Sequence, residues 1–116
     1  MKTTTKKTVS LTKLEKDFII AYFESVATTL NYSRLEDVAY WLKELTIEQA
    51  KGVLGSLVHK GVFDPAADTY DANFQTYDVM GMTSLVTSEQ LDEIAAERGM
   101  YFDFDDIDYD YIRYKK

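Results

Sequence analysis

The sequence predicts a mainly helical α+β fold: a three-helix core, a two-stranded β-hairpin, and one or two extra helices toward the C-terminus. Three observations carry this. Four stretches of helical apolar periodicity each begin just after a Ser or Thr that is followed three residues later by Glu or Gln. Gly61 closes the third stretch, and the residues after it turn β-prone and loop-forming. Finally, 116 residues with 46% hydrophobic content suffice for one compact domain with a core and are too few for two ordinary ones.

The first helix is expected over about residues 12–30. Thr12 and Glu15 form its capping box, and Leu14, Phe18, Ile19, Tyr22, Phe23, Val26 and Leu30 then cover a broad face. So wide an apolar face belongs to a helix packed on more than one side, which makes it the hub of the core. Ser33 with Glu36 opens the second helix, whose Leu35, Val38, Ala39 and Leu42 follow at i, i+3, i+4 and i+7 and which ends near Lys43 or Glu44. Thr46 with Gln49 opens the third. Its Ile47, Ala50, Val53, Leu54, Leu57 and Val58 share one face until Lys60 and Gly61 end it.

Beyond Gly61, Val62 and Phe63 read as a short strand, Asp64-Pro65 starts a loop, and residues 74–82 read as a returning strand, so a hairpin with a long tip is expected. Thr87 with Gln90 opens a fourth helix, marked by Leu91, Ile94 and Ala95 and stopped at Gly99. The final YFDFDDIDYDYIRYKK reads as a short helix, with Phe104, Ile107, Tyr111 and Tyr114 on one face, aspartates at its N-terminal end and Arg113, Lys115 and Lys116 at its C-terminal end. As an extended segment it would fit a strand edge or a tail docked on a basic surface. The resulting organisation is a flexible basic arm over residues 1–11, a domain over 12–99, and an acidic, aromatic segment over 100–116.

Charge divides the chain. Residues 1–60 hold nine Lys/Arg against seven Asp/Glu, whereas residues 61–116 hold four against thirteen, within a net charge of −7. No Lys or Arg lies between residues 61 and 97. Such a half repels nucleic-acid phosphates. Without cysteine there is no disulfide framework, thiolate metal site or cysteine nucleophile, and a reducing, cytoplasmic setting is expected. The opening MKTTTKKTVS lacks the apolar stretch of a signal peptide, and no run approaches a membrane span. A soluble protein with no membrane partner is expected.

Residues 37–63, DVAYWLKELTIEQAKGVLGSLVHKGVF, resemble the part of winged-helix DNA-binding proteins that runs from the second helix into the first strand. There an Asp-aliphatic-Ala start leads through a turn to a recognition helix and a Lys-Gly-aliphatic exit. The likeness covers 27 residues, roughly a quarter of the chain, and rests mostly on apolar spacing. The turn departs from the family's form: Lys43, Glu44 and Leu45 include no glycine, and the connection is about one residue longer. The resemblance implies that the third helix is the recognition helix, presenting Glu48, Gln49, Lys51, Gly52, Gly55, Ser56 and His59. Gln49 is then suited to adenine, Lys51 to guanine or phosphate, and Ser56 to phosphate.

An acidic wing leaves DNA contact to that helix and to a basic arm carrying Lys6 and Lys7. Gly52 and Gly55, each costing ~1 kcal/mol against alanine in a helix, are expected to permit close approach to another backbone or to a phosphate, with packing against this chain itself the favoured cause. His59, the single histidine, sits at a helix end where imidazole serves terminal carbonyls. The C-terminal aspartates lack the central glycine and closing glutamate of a calcium loop. No enzyme motif, metal site or cofactor site is recognised.

Two functions follow as expectations. One is a small DNA-binding regulator, of a style similar to phage and mobile-element accessory proteins. The other is a protein-interaction module that meets a basic partner, or mimics DNA charge, through Tyr101, Phe104, Asp105, Asp106, Asp108, Tyr109 and Tyr111. The spacing carries no signal of oligomeric state.

Overall fold

A computed structural model describes residues 9–28, 34–73, 75–77, 81–102 and 112–114. Helix α1 (Lys13–Thr28) is the hub around which α2 (Leu35–Leu42) and α3 (Ile47–His59) pack, as its broad apolar face requires. Phe18 and Ile19 of α1, Leu35 and Val38 of α2, and Ala50, Leu54 and Leu57 of α3 are fully buried together. Thr12 and Glu15 exchange the two bonds of a capping box at α1, and Thr46 and Gln49 do so at α3.

The box expected at Ser33 and Glu36 forms one residue later. Arg34 is the N-cap of α2, and its backbone N–H donates to the Asp37 carboxylate at 3.1 Å. Asp37 thus takes the local role, and Glu36 turns to a distant partner. Its carboxylate accepts from the Thr76 hydroxyl at 2.9 Å and from the Tyr77 N–H at 3.2 Å.

Gly61, at φ +83°, ends α3 in a Schellman motif: the Val62 N–H donates to the Leu57 carbonyl at 2.9 Å and the Gly61 N–H to Val58 at 3.0 Å. The chain leaves directly into the hairpin. Phe63 bridges Met82 at its base, a 3₁₀ turn spans Pro65–Asp68, and β1 (Tyr70–Asp71) pairs antiparallel with β2 (Thr76–Tyr77) near the tip. Phe63 is buried edge-on against Phe18 and Tyr22, with ring centroids 5.8 and 5.1 Å away. The hairpin is therefore fastened at both ends, by Phe63 on α1 and by Glu36 on α2.

Helix α4 (Ser88–Ala96) is capped by Thr87, which accepts from the Gln90 N–H. The buried Gln90 side chain does not reciprocate; it clamps the backbone of Val9, accepting from its N–H at 3.3 Å and donating to its carbonyl at 2.7 Å. Val9 and Leu11, assigned by sequence to the arm, pack against the core. After Gly99, at φ +70°, β3 (Met100–Phe102) pairs antiparallel with β4 (Ile112–Tyr114). Residues 112–114 are thus extended, not the last turn of a helix; the rest of that expected helix lies outside the described residues. The register Met100 to Tyr114 and the edge-to-face contact of Phe102 with Phe23, ring centroids 4.8 Å apart, give the segment partners on β3 and α1 that its charge order did not announce. Among the described residues no helix is long and apolar enough to cross a membrane.

Candidate interaction face

The face presented by α3 is organised by a buried carboxylate on α1. Glu15 is 3% exposed. Its Oε1 accepts from the Thr12 N–H at 2.8 Å and from Lys60 Nζ at 2.5 Å, while its Oε2 accepts from Ser56 Oγ at 2.6 Å. Lys60 Nζ also donates to the Ser10 carbonyl at 2.8 Å. Burial alone would raise the Glu15 pKa, but the Lys60 and Ser56 hydrogen bonds, the Thr12 amide and the Lys60 charge together outweigh it and hold the carboxyl at about 2 against an ordinary 4.5. This one group joins α1 to the C-terminal half of α3 and to the chain entering α1.

That junction alters how the expected site residues stand. Ser56 donates its hydroxyl proton to Glu15, and Gln49 has its carbonyl oxygen in the α3 cap. Lys51 is exposed and makes no ion pair with a described residue. Lys6 and Lys7 lie outside the described residues, as do Phe104, Asp105, Asp106, Asp108, Tyr109 and Tyr111. Tyr101 is exposed on β3, opposite Arg113. His59 is exposed at the end of α3, and among the described residues no three potential ligands gather to hold a metal ion.

Several other cations are engaged within the fold. Arg98 holds Asp17 through Nη2 at 2.6 Å and Nε at 2.8 Å, Lys13 reaches the same carboxylate at 3.4 Å, and Lys16 reaches Glu97 at 3.5 Å. On the outer side of α2, the turn and α3, this leaves Lys43 and Lys51, with exposed Glu44 and Glu48 beside them. Lys43 is also the first residue of the turn between α2 and α3. Its φ of 61° and the 2.6 Å bond from the Glu44 N–H to the Leu42 carbonyl make it the centre of a γ-turn, a strained conformation for an L side chain.

Gly52 overturns one expectation. Among the described residues a Cβ placed there meets nothing within 4 Å, so close packing against them does not account for it. Its φ is not positive, so turn geometry does not account for it either. Gly52 instead walls an open groove of ≈ 410 Å³ between α1 and α3, lined also by Thr12, Leu14, Leu45, Val53 and Ser56. A second hollow of ≈ 330 Å³ shares Leu14 and Leu45 and continues over Ile20, Trp41 and Met100. Leu14, which lines both hollows of this strip, is 40% exposed.

Sequence reasoning missed the Glu15 junction, the Glu36 link and this strip. Glu15 and Leu14 were visible as a cap residue and a helix-face residue. Their further roles arise from partners 41 and 45 positions away for Glu15 and 27 to 86 positions away for Leu14, for which spacing carries no signal. Compared with protein-family models, curated proteins and solved structures, the chain matches none.

Proposed function

We propose that this chain is a protein-interaction module on a winged-helix-like scaffold, taking a basic protein partner in place of duplex DNA. The observation that carries the reading is the disposition of positive charge. Lys60 is paired with Glu15, Arg98 and Lys13 with Asp17, and Lys16 with Glu97. Lys43 and Lys51 remain next to Glu44 and Glu48, and no continuous positive stripe runs along α3 among the described residues. Duplex binding draws most of its affinity from phosphate neutralisation, so such a face is poorly matched to it. An apolar strip beside Gly52, on a chain of net charge −7, suits a partner with exposed apolar and basic side chains.

Fluorescence anisotropy with a labelled duplex at about 50 mM salt tests this against the DNA reading. The expected result is no saturable binding at concentrations up to about 10 µM, within the range where non-specific DNA binders already associate. Saturable binding that weakens steeply with salt and is reduced by Lys51→Glu would overturn the proposal. The DNA reading retains one specific support, the two exposed lysines, Lys43 in the turn and Lys51 on α3. Deleting residues 101–116 is a less discriminating test of the C-terminal surface, because it also removes the β3–β4 pairing and the Phe102 contact with Phe23.

A further inference from the structure

Residues 9–11 lie ahead of α1, outside any helix or strand. Val9 and Leu11 are half-buried against the core and Ser10 between them is exposed, the alternation of an extended segment. Side chains of two other elements hold this strap by its main-chain atoms. The buried Gln90 of α4 gives Val9 the two bonds that a neighbouring strand gives one residue, accepting from its N–H at 3.3 Å and donating to its carbonyl at 2.7 Å. Lys60, at the end of α3, donates to the Ser10 carbonyl at 2.8 Å. None of these bonds reads a side chain of the strap.

We infer that this seat is a binding site for the main chain of an extended segment of another protein, and that residues 9–11 are its intramolecular occupant, displaced when that segment enters. The inference goes beyond the reading of the α3 face and stands apart from it. At α3, Gln49 reaches back to its own cap, whereas at α4 the equivalent Gln90 forgoes that bond and turns to Val9. Its buried amide presents one donor and one acceptor to a single residue, and leaving both unmet is costly. The strap therefore comes away most readily in exchange for another main chain.

The fold loses little else in that exchange. The first helical bond of α1 runs from the Lys16 N–H to the Thr12 carbonyl, Thr12 and Glu15 close the cap between themselves, and Lys60 keeps Glu15 when Ser10 leaves. The seat also defines what can enter. The incoming segment needs an N–H at its first position, which excludes proline, and apolar side chains at its first and third. A phosphate or free carboxylate would meet the donors of Gln90 and Lys60 and leave Gln90 Oε1 without one, so an anion is the poorer occupant.

Hydrogen exchange on the full ¹⁵N-labelled chain reads the displacement. The Val9 amide should exchange about tenfold or more faster than those of Leu54 and Leu57 in α3, at a rate insensitive to low denaturant. Exchange of Val9 only on global unfolding would make the strap a fixed part of the fold and overturn the inference.

Titration with a blocked peptide of residues 8–12 reads the site, on the wild-type chain and on a variant carrying Val9→Gly and Leu11→Gly, which loosens the strap and leaves Gln90 and Lys60 in place. Saturable binding that moves the Gln90 side-chain amide is expected on both, about tenfold or more tighter on the variant. The same peptide with N-methylvaline in place of valine has no N–H for Gln90 and should bind about tenfold more weakly. The wild-type titration carries the test if the variant does not fold. Absence of binding, equal affinity for the N-methylated peptide, or perturbations confined to other faces would overturn the main-chain site. Concentration-dependent self-association of the wild type that is lost in the variant would overturn the assignment to another protein, making the occupant the strap of a second copy.

Discussion

Replacing Glu15 with glutamine removes one charge from the junction of α1 and α3 and leaves an oxygen that can still accept from the Thr12 N–H. The side chain is 4% exposed, so solvent screening takes little from its interactions with Lys60 and Ser56. A carboxyl whose pKa falls from 4.5 to about 2 on folding contributes about 3 kcal/mol at neutral pH. Because the folded pKa is the depressed one, that contribution is complete above the unfolded value. It drains away as the pH falls from about 4.5 toward about 2.

Urea unfolding of the wild-type chain and Glu15→Gln, followed by fluorescence of the single tryptophan, Trp41, reads this directly. The variant should be less stable by about 2–3 kcal/mol near pH 7, the gap should shrink to about half near pH 3, and the two proteins should converge in stronger acid. The difference between the two curves isolates Glu15 from every other carboxylate. A gap that stays constant with pH, or one below about 1 kcal/mol at neutral pH, would refute the reasoning that Glu15 is the charged fastening of α3.

Glu36→Ala should cost about 1–2 kcal/mol by leaving the Tyr77 N–H and Thr76 hydroxyl without their acceptor. Hydrogen exchange at Tyr77 should quicken while the middle of α3 stays protected. Lys43→Gly relieves the positive φ in the turn between α2 and α3. It should raise stability by up to about 1 kcal/mol, measured as a higher thermal midpoint; a lower midpoint would contradict the strain. Phe63→Ala removes a 1% exposed ring from between Phe18 and Tyr22. A loss of about 3–5 kcal/mol is expected in denaturant titration, enough to loosen the hairpin base together with α1.

The parts legible in the sequence are those whose causes lie within a few residues. Thr12 with Glu15, Thr46 with Gln49, and Thr87 ahead of Gln90 are spaced to close a helix end, and Gly61 supplies a positive φ that side chains disfavour. The shift from Ser33 and Glu36 to Arg34 and Asp37 shows where such reading loses its hold. Two acidic residues stand side by side, either spacing satisfies a cap pattern, and a hairpin 40 residues away engages Glu36. The extended Ile112–Tyr114 has the same origin, since its partners on β3 lie beyond an intervening segment that its own charge order ignores.

By itself, then, the sequence determined a mainly helical α+β chain with helices at α1 to α4, a hairpin after Gly61 and charge divided between its halves. Backbone capping, side-chain periodicity and composition are local properties and survive being read one residue at a time. Tertiary structure alone decided that Glu15 is buried between Ser56 and Lys60, that several cations are engaged inside the fold, and that Gly52 lines a groove beside Leu14 and Leu45. Those outcomes depend on which surfaces meet across the chain. The free energy of such meetings comes from burial and complementary charge, not from spacing.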